Sequence, residues 1–248
     1  FFTVKNIFMI NSISIILPAL NEEGNIEAAI QDIQSYFNSR EEKYEIIVIN
    51  DGSTDSTGDI AERLAKENGS VRVVHHPTNK GYGSALKEGF ENSKYKYVFF
   101  TDSDRQFDIK GLDILLPLIK TDAVEIIIGY RLKRKDPFLR RFLSWGYNSL
   151  VGYLFDLNVK DIDCAFKIFR KDIFSKIEIE SKNFFVNTEV LAKAMYFGFN
   201  VLEVGVPHFP RTAGKTTVTL KHIPLTLIEL YRIFKSIKRL KKSESTTG

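Results

Sequence analysis

The sequence predicts an α/β fold with a mostly parallel central sheet and helices on both faces. Short, continuous apolar runs recur along the first half of the chain, the pattern of strands buried on both sides. Most are followed by a segment whose apolar residues return at helical spacing, so strand and helix alternate as in right-handed crossover units. Clusters of Asp, Asn, Ser and Gly fall where the runs end, the ligand side of such a sheet.

Ile13 to Leu17 is the first expected strand, ending at Pro18. After Asn21-Glu22-Glu23-Gly24, a helix is expected through Ile26, Ala29, Ile30, Ile33, Tyr36 and Phe37. Glu45 to Asn50 is the second strand, followed by Asp51-Gly52-Ser53-Thr54-Asp55-Ser56-Thr57 and a helix reaching about Asn68. Val71 to His75 is the third, and Asn79-Lys80-Gly81-Tyr82-Gly83-Ser84 leads to a helix near Ala85 to Asn92. Tyr97 to Thr101 is the fourth, stopping at Asp102-Ser103-Asp104. Ile109 to Ile119 is a helical pattern that Pro117 breaks, and Glu125 to Tyr130 is a fifth apolar run. Beyond it, Leu139 to Phe155 and Asn187 to Phe197 are expected helices, and Cys164 to Phe169 and Val201 to Val206 expected strands. No Gly-, Pro- or Ser-rich linker divides the halves. One composite domain is expected over residues 1–220, with a basic amphipathic helix and tail over 221–248.

The chain has 248 residues, 44% apolar and 27% charged, within the globular range. The single cysteine, Cys164, excludes an intrachain disulfide, and the four histidines form no zinc-ligand spacing. The formal charge of +4 is unevenly placed. The segment from Lys221 to the end holds seven basic residues against two acidic ones, net +5, leaving the body at −1. A second basic cluster comprises Arg131, Lys133, Arg134, Lys135, Arg140 and Arg141. Nucleic acid is not the expected partner, since no finger spacing, aromatic RNA-binding signature or long basic helix accompanies the charge. Phe1 to Ile10 lacks a small-residue cleavage site, so no signal peptide is expected, and no run approaches a spanning helix.

Asp102 and Asp104 carry the strongest chemical signal. Alternate positions just past a strand aim two carboxylates at one region, with Ser103 turned away, and Gln106 adds a neutral oxygen nearby. Such hard oxygen donors suit Mg²⁺ or Mn²⁺, which also bridge to a diphosphate. The plain alternative is a polar turn. Asp51 occupies an equivalent strand end, where it would accept hydrogen bonds from a nucleobase or ribose, or Ser53 and Thr54 would simply cap a helix. Gly81 and Gly83 belong to neither a Walker loop nor a GxGxxG fingerprint.

Taken together, the ordered motifs resemble the family 2 inverting glycosyltransferases, which have a Rossmann-like GT-A fold and use nucleotide-diphosphate sugars. Within that family they look most like the dolichyl-phosphate mannose synthase and polyprenyl-phosphate glycosyltransferase group. The motifs are Leu17-Pro18-Ala19-Leu20-Asn21-Glu22, Ile49-Asn50-Asp51-Gly52-Ser53, Asn79-Lys80-Gly81-Tyr82-Gly83 and Asp102-Ser103-Asp104-Arg105-Gln106. Later come Asp163-Cys164-Ala165-Phe166-Lys167, Glu203-Val204-Gly205-Val206-Pro207, Arg211 and Lys215. The resemblance implies that Pro18, Ala19, Asn21, Glu22, Asp51, Lys80 and Gly81 line the nucleotide-sugar pocket, with Asp102 and Ser103 by the ribose and diphosphate. It implies that Asp102, Asp104 and Gln106 position the divalent ion, and that Arg131, Arg211 and Lys215 contact donor or acceptor phosphate. Glu189 or Asp163 would be the base if the acceptor were a hydroxyl, and Glu189 has an equally plain role at a helix start. An ionised phosphate acceptor needs little or no base.

Four departures stand out. Leu20 replaces a frequent tyrosine, Asn50 a common aspartate, Arg105 stands where leucine or glycine is often found, and Cys164-Ala165 where small residues, often glycine, precede the phenylalanine. The membrane helices that follow the catalytic domain in many polyprenyl-phosphate enzymes are not in this sequence. The implied reaction is inverting transfer of a hexose from GDP-mannose or UDP-glucose to a polyprenyl or dolichyl phosphate. The alternatives are a hydroxyl-directed glycosyltransferase, a nucleotidyltransferase and an inactive membrane-associated interaction domain. A peripheral location at the cytoplasmic face of a membrane is expected. There Leu227, Leu230, Ile233, Phe234, Ile237 and Leu240 would form an apolar stripe flanked by Arg232, Lys235, Lys238 and Arg239, against anionic lipid. The alternative is a terminal helix packed on this chain or on a second copy, which leaves a homo-oligomer open.

Overall fold

The computed structural model describes residues 11–121, 123–132, 138–210 and 223–247. Seven strands form one sheet: β1 (Ser12–Ala19), β2 (Lys43–Asn50), β3 (Val71–His75), β4 (Tyr97–Thr101), β5 (Ile126–Leu132), β6 (Phe166–Arg170) and β7 (Val201–Pro207). Among the described residues the seven α-helices are α1 (Ile26–Asn38), α2 (Thr57–Glu67), α3 (Tyr82–Asn92), α4 (Leu112–Ile119), α5 (Phe138–Phe155), α6 (Val186–Tyr196) and α7 (Ile223–Thr247). The expected elements are all present. Pro117 is accommodated inside α4, which a three-residue 3-10 turn precedes.

The sheet order is β3-β2-β1-β4-β6-β5-β7. β1 pairs in parallel with both β2 and β4, β2 with β3, and β5 with β7. β6 runs antiparallel between β4 and β5, a reversal that an apolar run does not encode. The architecture is that of an α/β fold with a mixed, mostly parallel sheet. Consecutive connections run outward from β1 through β2 to β3, then return to the other side of β1 at β4. This parting is a topological switch point, where strand-end loops diverge and leave a crevice.

Two apolar layers enclose the sheet because successive strand residues face opposite sides. Ile13, Ile15 and Leu17 pack with α1 residues Ile30, Ile33 and Phe37, while Ile16 joins Leu86, Phe90 and Phe100 on the other face. The second layer also takes in α7: Leu230, Ile233 and Ile237 are buried in it, and Phe234 meets Phe155 of α5 at 6.5 Å between ring centroids. The six-residue stripe read as membrane-facing is therefore divided. Three of its residues pack on the chain itself, Leu227 is exposed, and Phe234 is half-buried. Helical spacing is the same for a helix that packs on a core and one that lies on a bilayer.

Gly83 marks the tightest approach near the crevice. A Cβ there would stand 2.2 Å from the Ser181 carbonyl oxygen and 2.7 Å from that of Asn183, both backbone atoms. Gly83→Ala is expected to destabilise the fold by about 1–3 kcal/mol through overpacking. Gly69→Ala, with nothing within 4 Å of the new methyl, should have little effect. Urea denaturation of the two variants checks this, and equal midpoints would contradict it.

Candidate active site

The crevice is built by loops that satisfy one another's buried polar groups. At the end of β2, Asp51 is 3% exposed. Its Oδ1 accepts from the Lys80 amide at 2.8 Å and its Oδ2 from the Gly81 amide at 2.9 Å. His76 Nδ1 lies 2.6 Å from the same Oδ1. One carboxylate thus joins the ends of β2 and β3 to the start of α3. Gly52 and Gly81 have φ of +71° and +98°, left-handed geometry that glycine adopts without a Cβ clash.

Asn21 and Glu22, after β1, face the loop after β2. The Asn21 amide donates to Ser53 Oγ, and its side-chain oxygen accepts from the Thr54 amide at 2.8 Å. The Glu22 amide donates to Thr57 Oγ1. Pro18 and Ala19 are buried at the end of β1, and Ser103, also buried, donates its hydroxyl to the Pro18 carbonyl at 3.1 Å. That bond ties β1 to the turn after β4, across the switch point.

In that turn Asp104 is 2% exposed and accepts from the Gln106 amide at 3.1 Å. Asp102 is half-buried and accepts from the Tyr82 hydroxyl at 2.9 Å. Burial first, then the charge and hydrogen bond of Asp102, raise the Tyr82 pKa well above the ordinary value, with Asp104 and Asp163 adding to it. Tyr82 therefore keeps its proton and its place as a donor, and three carboxylates lie within electrostatic reach of one hydroxyl. Gln106 gives its side-chain NH₂ to the Phe209 carbonyl at 3.3 Å, a bond that leaves its amide oxygen unused. Arg105 has φ of +58°, where a glycine would sit without strain, and is held by an ion pair with Asp32 at 2.8 Å.

Among the described residues, no group of three or more His, Cys, Asp or Glu side chains is arranged to hold a metal. Two carboxylates and an amide oxygen are nevertheless hard donors of the kind Mg²⁺ and Mn²⁺ prefer. An ion held by so few groups would complete its shell with water and substrate phosphate.

Arg131 and Glu189 are both engaged within the protein. The Arg131 fork, expected on a phosphate, grips Asp161 through Nε and Nη2 at 2.7 Å each. Burial opposes the Arg131 charge, but the bonds and charge of Asp161 outweigh it and raise the pKa. Glu189, read as either base or structural residue, has the geometry of the structural role. It is 1% exposed and accepts from the Glu180 and Ser181 amides and from Lys193 Nζ, the last at 2.7 Å. The segment it secures presents the Lys182 carbonyl to the Gly83 amide at 2.8 Å, so Glu189 supports the start of α3 from behind. Asp163 is exposed, and its charge reaches Tyr82, Tyr147 and Lys167. Arg211 and Lys215 lie outside the described residues, as do the side chains of Lys133, Arg134, Lys135, Arg140 and Arg141.

Sequence reasoning missed His76, Tyr82 as the partner of Asp102, and Asp161. Only Tyr82 carried a signal, as the aromatic between two glycines at a helix start. Asn50, in place of the common aspartate, donates its amide toward His75 Nδ1 at 2.9 Å, which a carboxylate could not do.

Residues 14–178 match the model of glycosyl transferase family 2. The chain belongs to that family. It is 30% identical over 218 residues to glycosyltransferase AglD of Haloferax volcanii, covering 84% of this chain and 34% of that protein. It is 31% identical to a dolichyl-phosphate beta-glucosyltransferase of Dictyostelium discoideum, covering 82% of this chain and 67% of the relative. The chain thus spans from about a third to two thirds of the length of these two relatives. A solved structure of glucosyl-3-phosphoglycerate synthase from Mycobacterium tuberculosis, in complex with Mn²⁺, UDP-glucose and phosphoglyceric acid, superposes with a TM-score of 0.71. At 20% identity over 92% of this chain and 79% of that one, the likeness establishes a shared GT-A-like fold.

Glu189→Gln separates the two roles of that residue. It leaves the buried Lys193 with Glu180 as its remaining carboxylate partner, and breaking a buried pair costs about 3 kcal/mol. The expected outcome is a clear loss of stability, with turnover per folded molecule reduced less than tenfold. Full stability with turnover nearly abolished would restore Glu189 as the base.

Proposed function

We propose that this family 2 chain transfers a hexose, with inversion, from a nucleoside-diphosphate sugar to a polyprenyl phosphate. The observation that carries it is the Asp102–Asp104 pair at the β1/β4 switch point, beside the loop that Asp51 organises. UDP-glucose is the proposed donor, because the Dictyostelium relative bears a glucosyltransferase name and the mycobacterial neighbour was solved with UDP-glucose. Mn²⁺ or Mg²⁺ held by Asp102, Asp104 and Gln106 would offset charge developing on the leaving diphosphate.

The chain's own residues do the positioning. Asp51 fixes the Lys80–Gly81 backbone at the nucleoside pocket, with Pro18, Ala19, Asn21 and Glu22 forming the opposite wall. Tyr82 holds Asp102 in place, and Ser103 pins the turn to β1. Arg131 anchors Asp161, leaving Arg211 and Lys215 as the proposed phosphate contacts. The acceptor phosphate is ionised near neutral pH and attacks the anomeric carbon from the face opposite the diphosphate, without a base. The engagement of Glu189 in backbone bonds favours such an acceptor. A hydroxyl acceptor is the second reading, favoured by the exposure of Asp163, which would then serve as base.

Membrane docking is proposed through the exposed start of α7, where Leu227, Ile228 and Tyr231 are 56%, 51% and 65% exposed beside Arg232, Lys235, Lys238 and Arg239. Among the described residues no helix is long and apolar enough to cross a membrane. Because α7 also completes the core, the informative variant is Leu227→Ser with Ile228→Ser rather than removal of the helix. It should float less with anionic liposomes while keeping its stability, and unchanged flotation would contradict this surface.

Product mass from a panel of nucleotide sugars, incubated with a short polyprenyl phosphate and Mn²⁺, tests the reaction. A hexosyl polyprenyl phosphate and a nucleoside diphosphate are expected; pyrophosphate release, or no product with any donor, would overturn the reading. Asp104→Asn should stay folded and lose at least about tenfold in turnover, equivalent to 1.4 kcal/mol. Unchanged activity across Mn²⁺ concentrations would remove Asp104 from the metal site.

A further inference from the structure

Arg105 holds a backbone conformation that suits a glycine better. Its φ of +58° lies in the left-handed region, where a Cβ brings strain. The side chain is exposed, and among the described residues its guanidinium bonds Asp32 alone, from Nε to Oδ2 at 2.8 Å. Asp32 is exposed as well, and an ion pair between two exposed side chains adds little to stability. For the fold alone, glycine would serve at least as well. What the pair does secure is the acidic turn. Asp104 and Gln106 flank Arg105, and the Gln106 amide closes on Asp104 Oδ1 at 3.1 Å across it. The backbone angles of residue 105 therefore set how the Asp104 carboxylate and the Gln106 side chain are aimed relative to each other. Asp32 belongs to α1, whose neighbouring residues Ile30 and Ile33 are buried in the core with Ile13, Ile15 and Leu17 of β1. Ser103 fastens the turn to β1 on one side of Asp104, through the Pro18 carbonyl, and Arg105 fastens it to α1 on the other.

We propose that Arg105 and Asp32 are positioning residues for the donor site: their ion pair braces the turn, so that Asp104 and Gln106 offer their oxygens to a divalent cation in one arrangement. The inference rests on the donor-site reading above. A brace and a simple charge effect differ in sign. By charge alone, losing Arg105 would tighten cation binding and losing Asp32 would weaken it. As a brace, losing either residue weakens it, because donors that are no longer pre-ordered must be ordered when the cation binds.

The test uses the full chain with Mn²⁺ alone, read as free Mn²⁺ by electron paramagnetic resonance, beside urea midpoints. Arg105→Gly removes the pair and the strain together, and Asp32→Ala removes the pair and leaves the turn sequence intact. Both are expected to keep a midpoint close to the parent's and to bind Mn²⁺ at least about threefold more weakly, a small share of what supports of metal ligands usually supply. Arg105→Gln combined with Asp32→Ala removes the pair at constant net charge. It should show the same loss, and it decides the matter where a single variant is too unstable to titrate. Arg105→Lys and Asp32→Glu keep a pair and should stay close to the parent. Tighter Mn²⁺ binding by Arg105→Gly, unchanged binding by the double variant, or an equal loss in the two conservative variants would overturn the proposal. Asp104→Asn serves as the control. If it loses Mn²⁺ while the pair variants match the parent, only the brace fails. If it binds Mn²⁺ like the parent, the donor-site reading itself fails.

Discussion

The crevice depends on burying the Asp51 carboxylate at the end of β2. A buried carboxylate is tolerated only when donors surround it, and here they come from the Lys80 and Gly81 amides and from His76. These contacts fix the path of the chain into α3, which in turn carries Tyr82 to Asp102. A second set of bonds meets the first from behind, where Glu189 secures 180–181 and the Lys182 carbonyl receives the Gly83 amide. The loop held by Asp51 and the acidic turn are thus parts of one hydrogen-bonded framework. Local rigidity of this kind holds polar side chains in register without help from a ligand.

Most of the fold was legible because both of its periodicities are strong. Val71–His75 and Tyr97–Thr101 are the observed strands to the residue, and the pattern from Ile26 to Phe37 gives α1 to within one. The reversed direction of β6 was not legible, since Phe166–Arg170 is an apolar run in either sense. The division of the α7 stripe escaped for a related reason. Leu230, Ile233 and Ile237 have the spacing of a face, and spacing does not say whether protein or lipid covers it.

Within the site, legibility followed chain locality. Asp102, Asp104 and Asp51 stand beside their strands in the sequence, and the structure places them at the strand ends. Partners that meet only through tertiary structure left no trace: Asp161 with Arg131 are 30 residues apart, and His76 with Asp51 are 25. Glu189 is the instructive intermediate. Its partner Lys193 lies four residues on, the spacing of an ordinary helical pair, but spacing does not show that both ends are buried.

The central claim is that the carboxylates beyond β4 and the loop held by Asp51 form one site for a cation and a nucleoside diphosphate. Crystals grown with Mn²⁺ and UDP, measured at the manganese absorption edge, test it most directly. The account predicts an anomalous peak about 2.0–2.4 Å from carboxylate oxygens of the Asp102–Asp104 turn, with diphosphate oxygens completing the shell. The base should lie against Asp51 and the residues after β1. A manganese peak elsewhere, or UDP bound away from this crevice, would contradict it.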